Sequence, residues 1–215
     1  MSKNKEDLCI IIPARSGSKG IPNKNIKDLC GKSLLHRTLE SAVEITNIRN
    51  ICLSTNSEKY FIHIKDKYLP VFHKRSNELS GDQSLAIDVW KDAIRYLNSL
   101  NNIYRYSVFL EPTSPIRNTD WINQIVKEFK SSNYDLWMSV KETDTKYRLE
   151  KQFTINDNGD IKNLFENNDK YSIRQNSKKT YHKDGVFYIA RNEYILNTKF
   201  LLDGNIKGIV NNYKS

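Results

Sequence analysis

The sequence predicts an α/β domain with a doubly wound, mainly parallel sheet. Between Leu8 and Val140, short apolar runs alternate with segments whose apolar residues recur at helical spacing, which is typical of successive β-α-β units. The first run, Leu8–Ala14, shows no polar alternation and is therefore predicted to be a strand buried on both faces. No stretch rich in Pro, Gly and Ser interrupts the 215 residues, so we expect a single domain over positions 1–215.

Each element is predicted from its periodicity and its boundary residues. Strands are expected at Leu8–Ala14, Ile51–Ser54, Pro70–Phe72, Ser107–Leu110, Leu136–Val140 and Val186–Ile189. Helices are expected to begin at Ser33, near Ser57, near Ser84 and at Thr119 or Asp120, because Ser, Thr and Asp are common helix caps. The apolar face of the first helix is predicted to consist of Leu35, Leu39, Ala42 and Val43.

Positions 141–182 break this rhythm. They are charged and polar, with a hairpin signal at Asn158-Gly159. We interpret this segment as an arm or interface element that leaves the core, rather than as a separate domain.

The charge of the chain indicates an anionic partner. Lys and Arg outnumber Asp and Glu by 34 to 25, a formal net charge of +9, which suits nucleic acid or a polyphosphate substrate. The lysines are spread over the whole sequence, whereas a duplex-binding protein usually concentrates its charge on one face. We therefore expect no nucleic-acid partner.

The cysteines and the apolar runs allow a prediction of the cellular compartment. Cys9, Cys30 and Cys52 are widely spaced and form no CxxC pair, and two of them lie in apolar runs. We interpret those two as buried thiols of a reducing compartment rather than as zinc ligands. With no membrane span or export signal recognised, we predict no membrane association and a cytoplasmic location.

The loop after the first strand is predicted to hold an anion. In "IIPARSGSKGIPNKN" at positions 11–25, the apolar run gives way to glycines and to Arg15, Lys19 and Lys24. Ligands of open α/β sheets bind at the carboxyl ends of the strands. There, glycines let backbone N–H groups approach a ligand, and the cations can bind phosphate oxygens.

Two common phosphate-binding motifs are excluded. A P-loop counted from Gly17 needs a second glycine where Pro22 stands. A dinucleotide fingerprint needs GxGxxG, and only Gly17-x-x-Gly20 is present.

Together with four further motifs, the loop resembles the signature of the acylneuraminate cytidylyltransferases (CMP-sialic acid synthetases). The further motifs are "LSTNSE" at 53–58, "KRSNELSGDQS" at 74–84, "LEPTSPIR" at 110–117 and "IRQNSKKTYHKDGVFYI" at 173–189. They occur in the family's order and cover nearly the whole chain. The resemblance implies a Rossmann-like fold with a protruding dimerisation segment, a homodimer, and transfer of CMP from CTP to a nine-carbon 2-keto sugar acid (a nonulosonic acid).

The resemblance also assigns residues to the nucleotide. Arg15 and Lys19 would stabilise the charge that develops on the phosphates, as expected for displacement of pyrophosphate. The nucleotide-binding set it implies is Arg15, Ser18, Lys19, Gly20, Lys24, Asn25, Arg75, Asp82 and Ser84. For Arg75 taken without its motif, an ordinary surface arginine is the more probable interpretation.

On the sugar side the resemblance implies two segments. The residues are Glu111, Thr113, Ser114, Arg174, Gln175 and Asp184. The acceptor carries a carboxylate and needs a cation, for which Arg174 is the candidate; in the family an arginine of this stretch can reach the neighbouring subunit's site. His36 is expected in the first helix, His63 in the second and His182 in the protruding segment, so no general base is assigned.

Two positions on the sugar side depart from the family pattern. Glu111 stands where the sialic-acid enzymes usually have Gln, and an ionised carboxylate accepts hydrogen bonds but donates none. We therefore hypothesise a relative of sialic acid, such as a legionaminic-type sugar, as the acceptor. Asp184-Gly185 replaces the usual Asn-Gly, which adds a charge.

The resemblance implies Mg²⁺ as cofactor, held in the family by a DxD-type aspartate pair after the final strands. The sequence ends at "GIVNNYKS" near the point where that pair is expected, and Asp203 is isolated. The metal ligands are thus unassigned. We expect weak activity of residues 1–215 and recovery of activity when a tail with the aspartates is added.

Three alternatives stay open at this point. A CMP-Kdo-type synthetase would act on an eight-carbon acid, but that group has a different, Asp-containing turn in place of "PTSP". A catalytically impaired homologue would bind the nucleotide without releasing pyrophosphate. A nucleic-acid binder would show affinity for generic strands that falls steeply with salt.

Overall fold

Seven strands form the central sheet of the computed structural model, which describes residues 7–18, 20–164 and 179–213. The strands in chain order are β1 (Leu8–Pro13), β2 (Asp28–Leu29), β3 (Lys32–Ser33), β4 (Ile51–Thr55), β5 (Val71–Lys74), β6 (Tyr106–Phe109), β7 (Leu136–Glu142), β8 (Phe153–Ile155), β9 (Ile161–Asn163), β10 (Tyr181–Arg191) and β11 (Ile206–Val210). The order across the sheet is β11-β7-β10-β6-β1-β4-β5. Among the seven described strands of this sheet, only β10 runs antiparallel to its neighbours, which confirms the mainly parallel sheet.

Helices cover both faces of the sheet. They are α1 (Leu34–Ile45), α2 (Glu58–Ile64), α3 (Ala86–Ser99), α4 (Thr119–Lys130) and α5 (Asn192–Asn197). Along β1, Ile10 and Ile12 join a core layer that contains residues of α1, α2 and α4, whereas Cys9 and Ile11 join a layer that contains residues of α3 and α5. Successive strand residues point to opposite faces, so the unbroken apolar run of β1 follows from its burial on both sides.

Most boundaries agree with the expected ones within a few residues. The Ser33 side chain caps α1 as predicted, accepting a hydrogen bond from the His36 amide at 3.2 Å. The cap of α4 was predicted wrongly: Asn118 takes this role, its side chain accepting from the Trp121 amide at 2.9 Å. The prediction that Val43 lies on the buried face of α1 is also wrong, because this residue is 38% exposed.

The edge strand β11 has no counterpart among the predictions. It pairs in parallel with β7, and three of its five residues are exposed. Its sequence, "IKGIV", lacks a clear period of two. Its position is therefore decided by the partner strand rather than by its own pattern.

The segment predicted to leave the core, positions 141–182, is described in part: residues 141–142 belong to β7, residues 181–182 belong to β10, and positions 165–178 lie outside the described residues. Two short 3-10 turns at Thr145–Tyr147 and Leu149–Lys151 lead into the hairpin of β8 and β9. Gly159 in the hairpin turn has φ +88°, which suits the Asn-Gly signal. We call residues 143–164 the arm.

The three cysteines differ in burial. Cys9 and Cys52 are fully buried, Cys30 is exposed, and all three thiols are free. Burial raises the pKa of the Cys9 thiol to about 12, as expected for a thiol packed among apolar groups.

No helix in the described ranges is long and apolar enough to cross a membrane.

An irregularity in β10 is fixed by the Asp184 carboxylate. The register between β10 and β7 shifts between Lys183 and Tyr188. Within this shift, Asp184 Oδ1 accepts hydrogen bonds from the Ser139 hydroxyl of β7 and from the Val186 amide, the latter at 3.1 Å. Its Oδ2 accepts from Asn211 Nδ2, directly after β11, at 2.8 Å. One carboxylate thus joins three strands, and every partner is a donor.

We predict that Asp184→Asn lowers the free energy of unfolding by about 1–3 kcal/mol, because one end of an amide cannot accept and would face a donor. Urea unfolding of both proteins measures the difference. Asp157→Asn, at an exposed position of the arm, serves as the control and should change stability little. Equal stability of wild type and Asp184→Asn would contradict the assigned role.

Candidate functional site

A cleft of about 260 Å³ opens at the carboxyl ends of β1, β5 and β6. Its polar lining residues are Arg15, Lys24, Asn25, Arg75, Asp82, Ser84, Glu111 and Thr113. Its apolar lining residues include Pro13, Leu79, Val89 and Phe109. This is the edge at which parallel α/β sheets bind ligands.

The loop after β1 is anchored by Asn25, which is only 3% exposed. Its Nδ2 donates to the Arg15 carbonyl at 3.1 Å, and its carbonyl accepts from the Leu35 amide at 2.9 Å. The Asn25 Oδ1 is buried and has no hydrogen-bond partner among the described residues. A buried acceptor without a partner is costly, so this atom is suited to accept a hydrogen bond from a ligand.

Arg15 bridges the two walls of the cleft. Its Nη1 lies 2.8 Å from Asp82 Oδ1 and donates to the Ser80 carbonyl at 3.3 Å. Both charged side chains are more than a third exposed, so solvent screens the ion pair and a stronger anion can replace it.

Arg75 follows β5 and carries the most unusual charge in the cleft. It is 5% exposed, yet its Nε and Nη2 have no hydrogen-bond partner among the described residues. Burial lowers its pKa to about 10, and the like charge of Arg15 acts in the same direction, whereas Asp92 opposes it. A buried guanidinium edge with two free donors is a ready-made site for a ligand's acceptor atoms.

The opposite wall is the turn that begins at Glu111. Arg117 holds this turn in place: its Nη2 donates to the Glu111 carbonyl and its Nε donates to the Val186 carbonyl of β10 at 2.9 Å. Burial lowers the pKa of Arg117 to about 10, although Glu111 and Asp184 oppose the shift.

The Glu111 carboxyl faces the cleft in a mixed environment. Burial raises its pKa, while Arg117, Lys183 and Lys24 act in the opposite direction. Gly185 approaches it closely, since a Cβ there would lie 2.9 Å from Glu111 Oε2 and 2.8 Å from Ser114 Oγ. With φ +72° as well, this position suits glycine alone.

The structure brings eight of the proposed site residues to one cleft and leaves others apart. The cleft-lining ones are Arg15, Lys24, Asn25, Arg75, Asp82, Ser84, Glu111 and Thr113. Ser18 and Gly20 lie on the loop but outside this lining. Ser114, also outside this lining, donates to the Asp184 carbonyl at 2.9 Å. Lys19, Arg174 and Gln175 lie outside the described residues.

The four histidines lie in three different environments, and one of them is buried near the cleft residue Arg75. His36 and His63 both contact the Ser33 hydroxyl, at 3.0 and 3.2 Å, next to the α1 cap. His182 is exposed on β10. His73, to which the sequence assigned no role, is buried on β5, two residues before Arg75.

The described residues do not form a Mg²⁺ cage of their own. No group of three or more His, Cys, Asp or Glu side chains within these ranges could hold a metal ion. Of the cleft carboxylates, Asp82 is paired with Arg15, and Glu111 faces three cations. Mg²⁺ prefers carboxylates together with substrate phosphates and waters, and this cationic wall does not fit a resident ion.

Comparisons with known proteins show the family of the chain. The cytidylyltransferase family model matches residues 9–203. The pseudaminic acid cytidylyltransferase of Campylobacter jejuni is 32% identical over 197 residues, which cover 91% of this chain and 83% of that protein. The N-acylneuraminate cytidylyltransferase of Escherichia coli is 32% identical over 194 residues, 89% of this chain and 44% of that protein.

A solved structure supports the same fold. The CMP-2-keto-3-deoxy-manno-octonic acid synthetase complexed with CTP superimposes with a TM-score of 0.68, covering 95% of this chain and 90% of that one at 12% identity. The family model matches most of the chain, and these relatives are about a third identical to it. The chain therefore belongs to the cytidylyltransferase family and is a CTP-dependent nucleotidyltransferase that resembles N-acylneuraminate cytidylyltransferase.

Proposed function

We propose that this chain transfers CMP from CTP to the anomeric hydroxyl of a nonulosonic acid. In this reaction the anomeric hydroxyl loses its proton to solvent, and its oxygen forms a bond to the α-phosphorus. The bond from that phosphorus to the oxygen it shares with the β-phosphate breaks, and pyrophosphate leaves. The observation that carries the proposal is Arg75, a buried guanidinium with two unpaired donors in a cleft that also contains Arg15 and Lys24. Relatives named for pseudaminic and N-acylneuraminic acid support the acceptor class.

The residues of the β1 loop are proposed to bind the triphosphate. Arg15 would exchange its screened contact with Asp82 for phosphate oxygens, and Lys24 would add charge from the same wall. Lys19, Ser18 and Gly20 complete this set; the Ser18 hydroxyl is buried and has no described partner. Preorganised cations stabilise the charge that builds on the leaving pyrophosphate.

Arg75 and the turn at Asp82 and Ser84 are proposed to hold the nucleoside end of CTP. The Ser84 hydroxyl donates to the Glu78 carbonyl at 2.7 Å, so this turn is rigid before the ligand arrives. Mg²⁺, when it enters with CTP, would neutralise phosphate charge; the described residues place no ligand set around it.

The acceptor is proposed to lie against Glu111, Thr113 and Ser114. The carboxylate of the acceptor needs a cation, and the resemblance to the family assigns this role to Arg174, together with Gln175. Glu111 would accept hydrogen bonds from hydroxyl or N-acyl groups of the sugar.

A homodimer is proposed from the surface of the arm. Phe153 is 51% exposed, and Ile155 and Ile161 are each 63% exposed, on facing strands of one small hairpin. Apolar side chains grouped on a protruding hairpin suit burial against another protein surface. The occupant we propose is the same face of a second copy.

The experiment that tests the function is release of pyrophosphate from CTP with a panel of acceptors: N-acetylneuraminate, pseudaminate, a legionaminic acid and the eight-carbon Kdo. We expect release with at least one nine-carbon acid. Release with Kdo alone would favour the eight-carbon alternative. CTP binding without release from any acceptor would favour a catalytically impaired homologue.

Arg75→Lys is expected to lower kcat/KM for CTP about 10- to 100-fold, because lysine cannot present two parallel donors. Steady-state kinetics with varied CTP measures this loss. Arg49→Lys, at an exposed position after α1, is the matched control and should retain wild-type kinetics. Unchanged kinetics of Arg75→Lys would remove the main support for the nucleotide site.

Glu111→Gln is expected to shift the preference between acceptors about tenfold toward N-acetylneuraminate, because the amide donates where the carboxylate only accepts. The ratio of kcat/KM for N-acetylneuraminate and the legionaminic acid measures the shift. Glu128→Gln on α4 is the control. A wild-type enzyme that clearly prefers N-acetylneuraminate would refute the specificity assigned to Glu111.

Replacing Ile155 and Ile161 by lysine is expected to convert the dimer into a monomer while α/β folding persists, because the arm lies outside the core. Sedimentation measures the change from dimer to monomer, and circular dichroism measures whether the α/β fold persists. The control replaces Ile62 of α2, which is 56% exposed away from the arm. A monomeric wild type would contradict the proposed dimer.

A further inference from the structure

The end of β4 supports the nucleotide cleft without lining it. No described residue of β4 belongs to the cleft lining, and its motif "LSTNSE" has no role in the proposed reaction. In the sheet β4 lies between β1 and β5. The Ser54 carbonyl accepts from the Ala14 amide, and the Thr55 carbonyl accepts from the Arg75 amide, each at 2.9 Å. Asn56, the next residue, therefore follows a strand end that is bonded to both cation-bearing segments of the cleft.

The peptide unit between Arg15 and Ser16 is held at both of its polar groups. The Arg15 carbonyl accepts from Asn25 Nδ2 at 3.1 Å, and the Ser16 amide donates to Asn56 Oδ1 at 3.0 Å. The Ser16 hydroxyl donates to the same Asn56 oxygen at 3.3 Å. Because an amide N–H can only donate, the Asn56 atom that faces it is the side-chain oxygen. Two asparagines from different segments thus clamp one peptide from opposite sides.

This clamp sets the direction in which the β1 loop leaves its strand. A planar trans peptide points its C=O and its N–H in opposite directions, so bonds at both groups fix its rotation about ψ of Arg15 and φ of Ser16. The next residue is Gly17, and a Cβ at this position would meet no described atom within 4 Å. Packing therefore does not restrain the chain here, where glycine adds backbone freedom. The restraint on this end of the loop comes from the polar clamp.

We propose that Asn56 is a positioning residue for the loop that receives the triphosphate. It holds the Arg15–Ser16 peptide in one orientation, which keeps Arg15 at the cleft and orders the chain that leads into Gly17. Asn56 acts from behind the loop and does not contact the nucleotide. A loop that is ordered before the ligand arrives loses less conformational entropy on binding. The inference rests on the proposed function in naming a triphosphate as the ligand of this loop.

The first variant is Asn56→Ala, which removes the acceptor and leaves the Ser16 amide unpaired. We expect calorimetry to show CTP binding that is weaker by about five- to thirtyfold, the range for a lost hydrogen bond with an unsatisfied donor. Cytidine, which lacks phosphates, should bind this variant as it binds the wild type in an NMR titration. Unchanged CTP affinity, or an equal loss for CTP and cytidine, would overturn the proposal.

Asn56→Asp is the conservative variant, because a carboxylate keeps the acceptor for both Ser16 donors. Its added charge repels the triphosphate, and salt screens this repulsion. We therefore expect CTP affinity, relative to the wild type at the same salt, to recover to within about threefold between about 0.05 and 0.5 M NaCl. The relative loss in Asn56→Ala should persist at high salt. An aspartate variant that is as weak as the alanine variant at high salt would refute the clamp.

Asn197→Ala is the matched control. Asn197 is the exposed last residue of α5, and α5 follows the antiparallel strand β10, so it lies at the sheet edge opposite the cleft. This variant should bind CTP with wild-type affinity. A loss of CTP affinity equal to that of Asn56→Ala would show that the effect is not specific to the clamp.

Hydrogen exchange of the Ser16 amide tests the clamp without any ligand. This amide should exchange at least about tenfold faster in Asn56→Ala than in the wild type, and as slowly as the wild type in Asn56→Asp. Equal exchange in the wild type and Asn56→Ala would contradict the contact. If the wild type releases no pyrophosphate with any acceptor, the proposed function fails, while CTP affinity and amide exchange still decide the role of Asn56.

Discussion

The pairing of β1 between β4 and β6 is the constraint on which the rest of the structure depends. All three strands run in parallel, and the residues of β1 from Cys9 to Ile12 are completely buried on both faces. Burial of each such side chain contributes about 1.5–3 kcal/mol, so a slip in register would expose several of them at once. Because the strands are parallel and in register, their carboxyl ends meet at one edge. The loop after β1, the residues after β5 and the turn after β6 thus become walls of one cleft.

Charge is the second constraint, and it follows from the first. The converging loops bring Arg15, Lys24 and Arg75 into a small space, where their mutual repulsion has to be offset. Asp82 meets Arg15 at the solvent-exposed rim, where an anionic ligand can replace it. This arrangement leaves the cleft ready for exchange.

On the other side of the cleft, rigidity comes from hydrogen bonds between distant segments. Arg117 ties the Glu111 turn to β10, and Asp184 ties β10 to β7 and to the end of β11. Gly185 lets β10 approach Glu111 without a steric clash. The position of one cleft carboxylate is therefore decided by four strands. An aspartate at 184 is suited to this role because all its partners donate, which gives the departure from Asn-Gly a structural reason.

The sequence by itself determined the sheet and the order of most elements, and it predicted an anion-binding loop after β1. These features depend on local patterns: buried strands are continuous apolar runs, helices repeat every 3.6 residues, and the loop is a contiguous motif. The tertiary structure alone decided the edge strand β11, the network around Asp184 and the His73–Asp92 pair that joins β5 to α3. Each of these joins residues far apart in the chain: Asp184 lies 45 positions from Ser139, and His73 and Asp92 belong to different elements. Hydrogen bonds and counter-charges of this kind leave no periodic signal in the sequence, because they form only after the packing of the strands has brought their partners together.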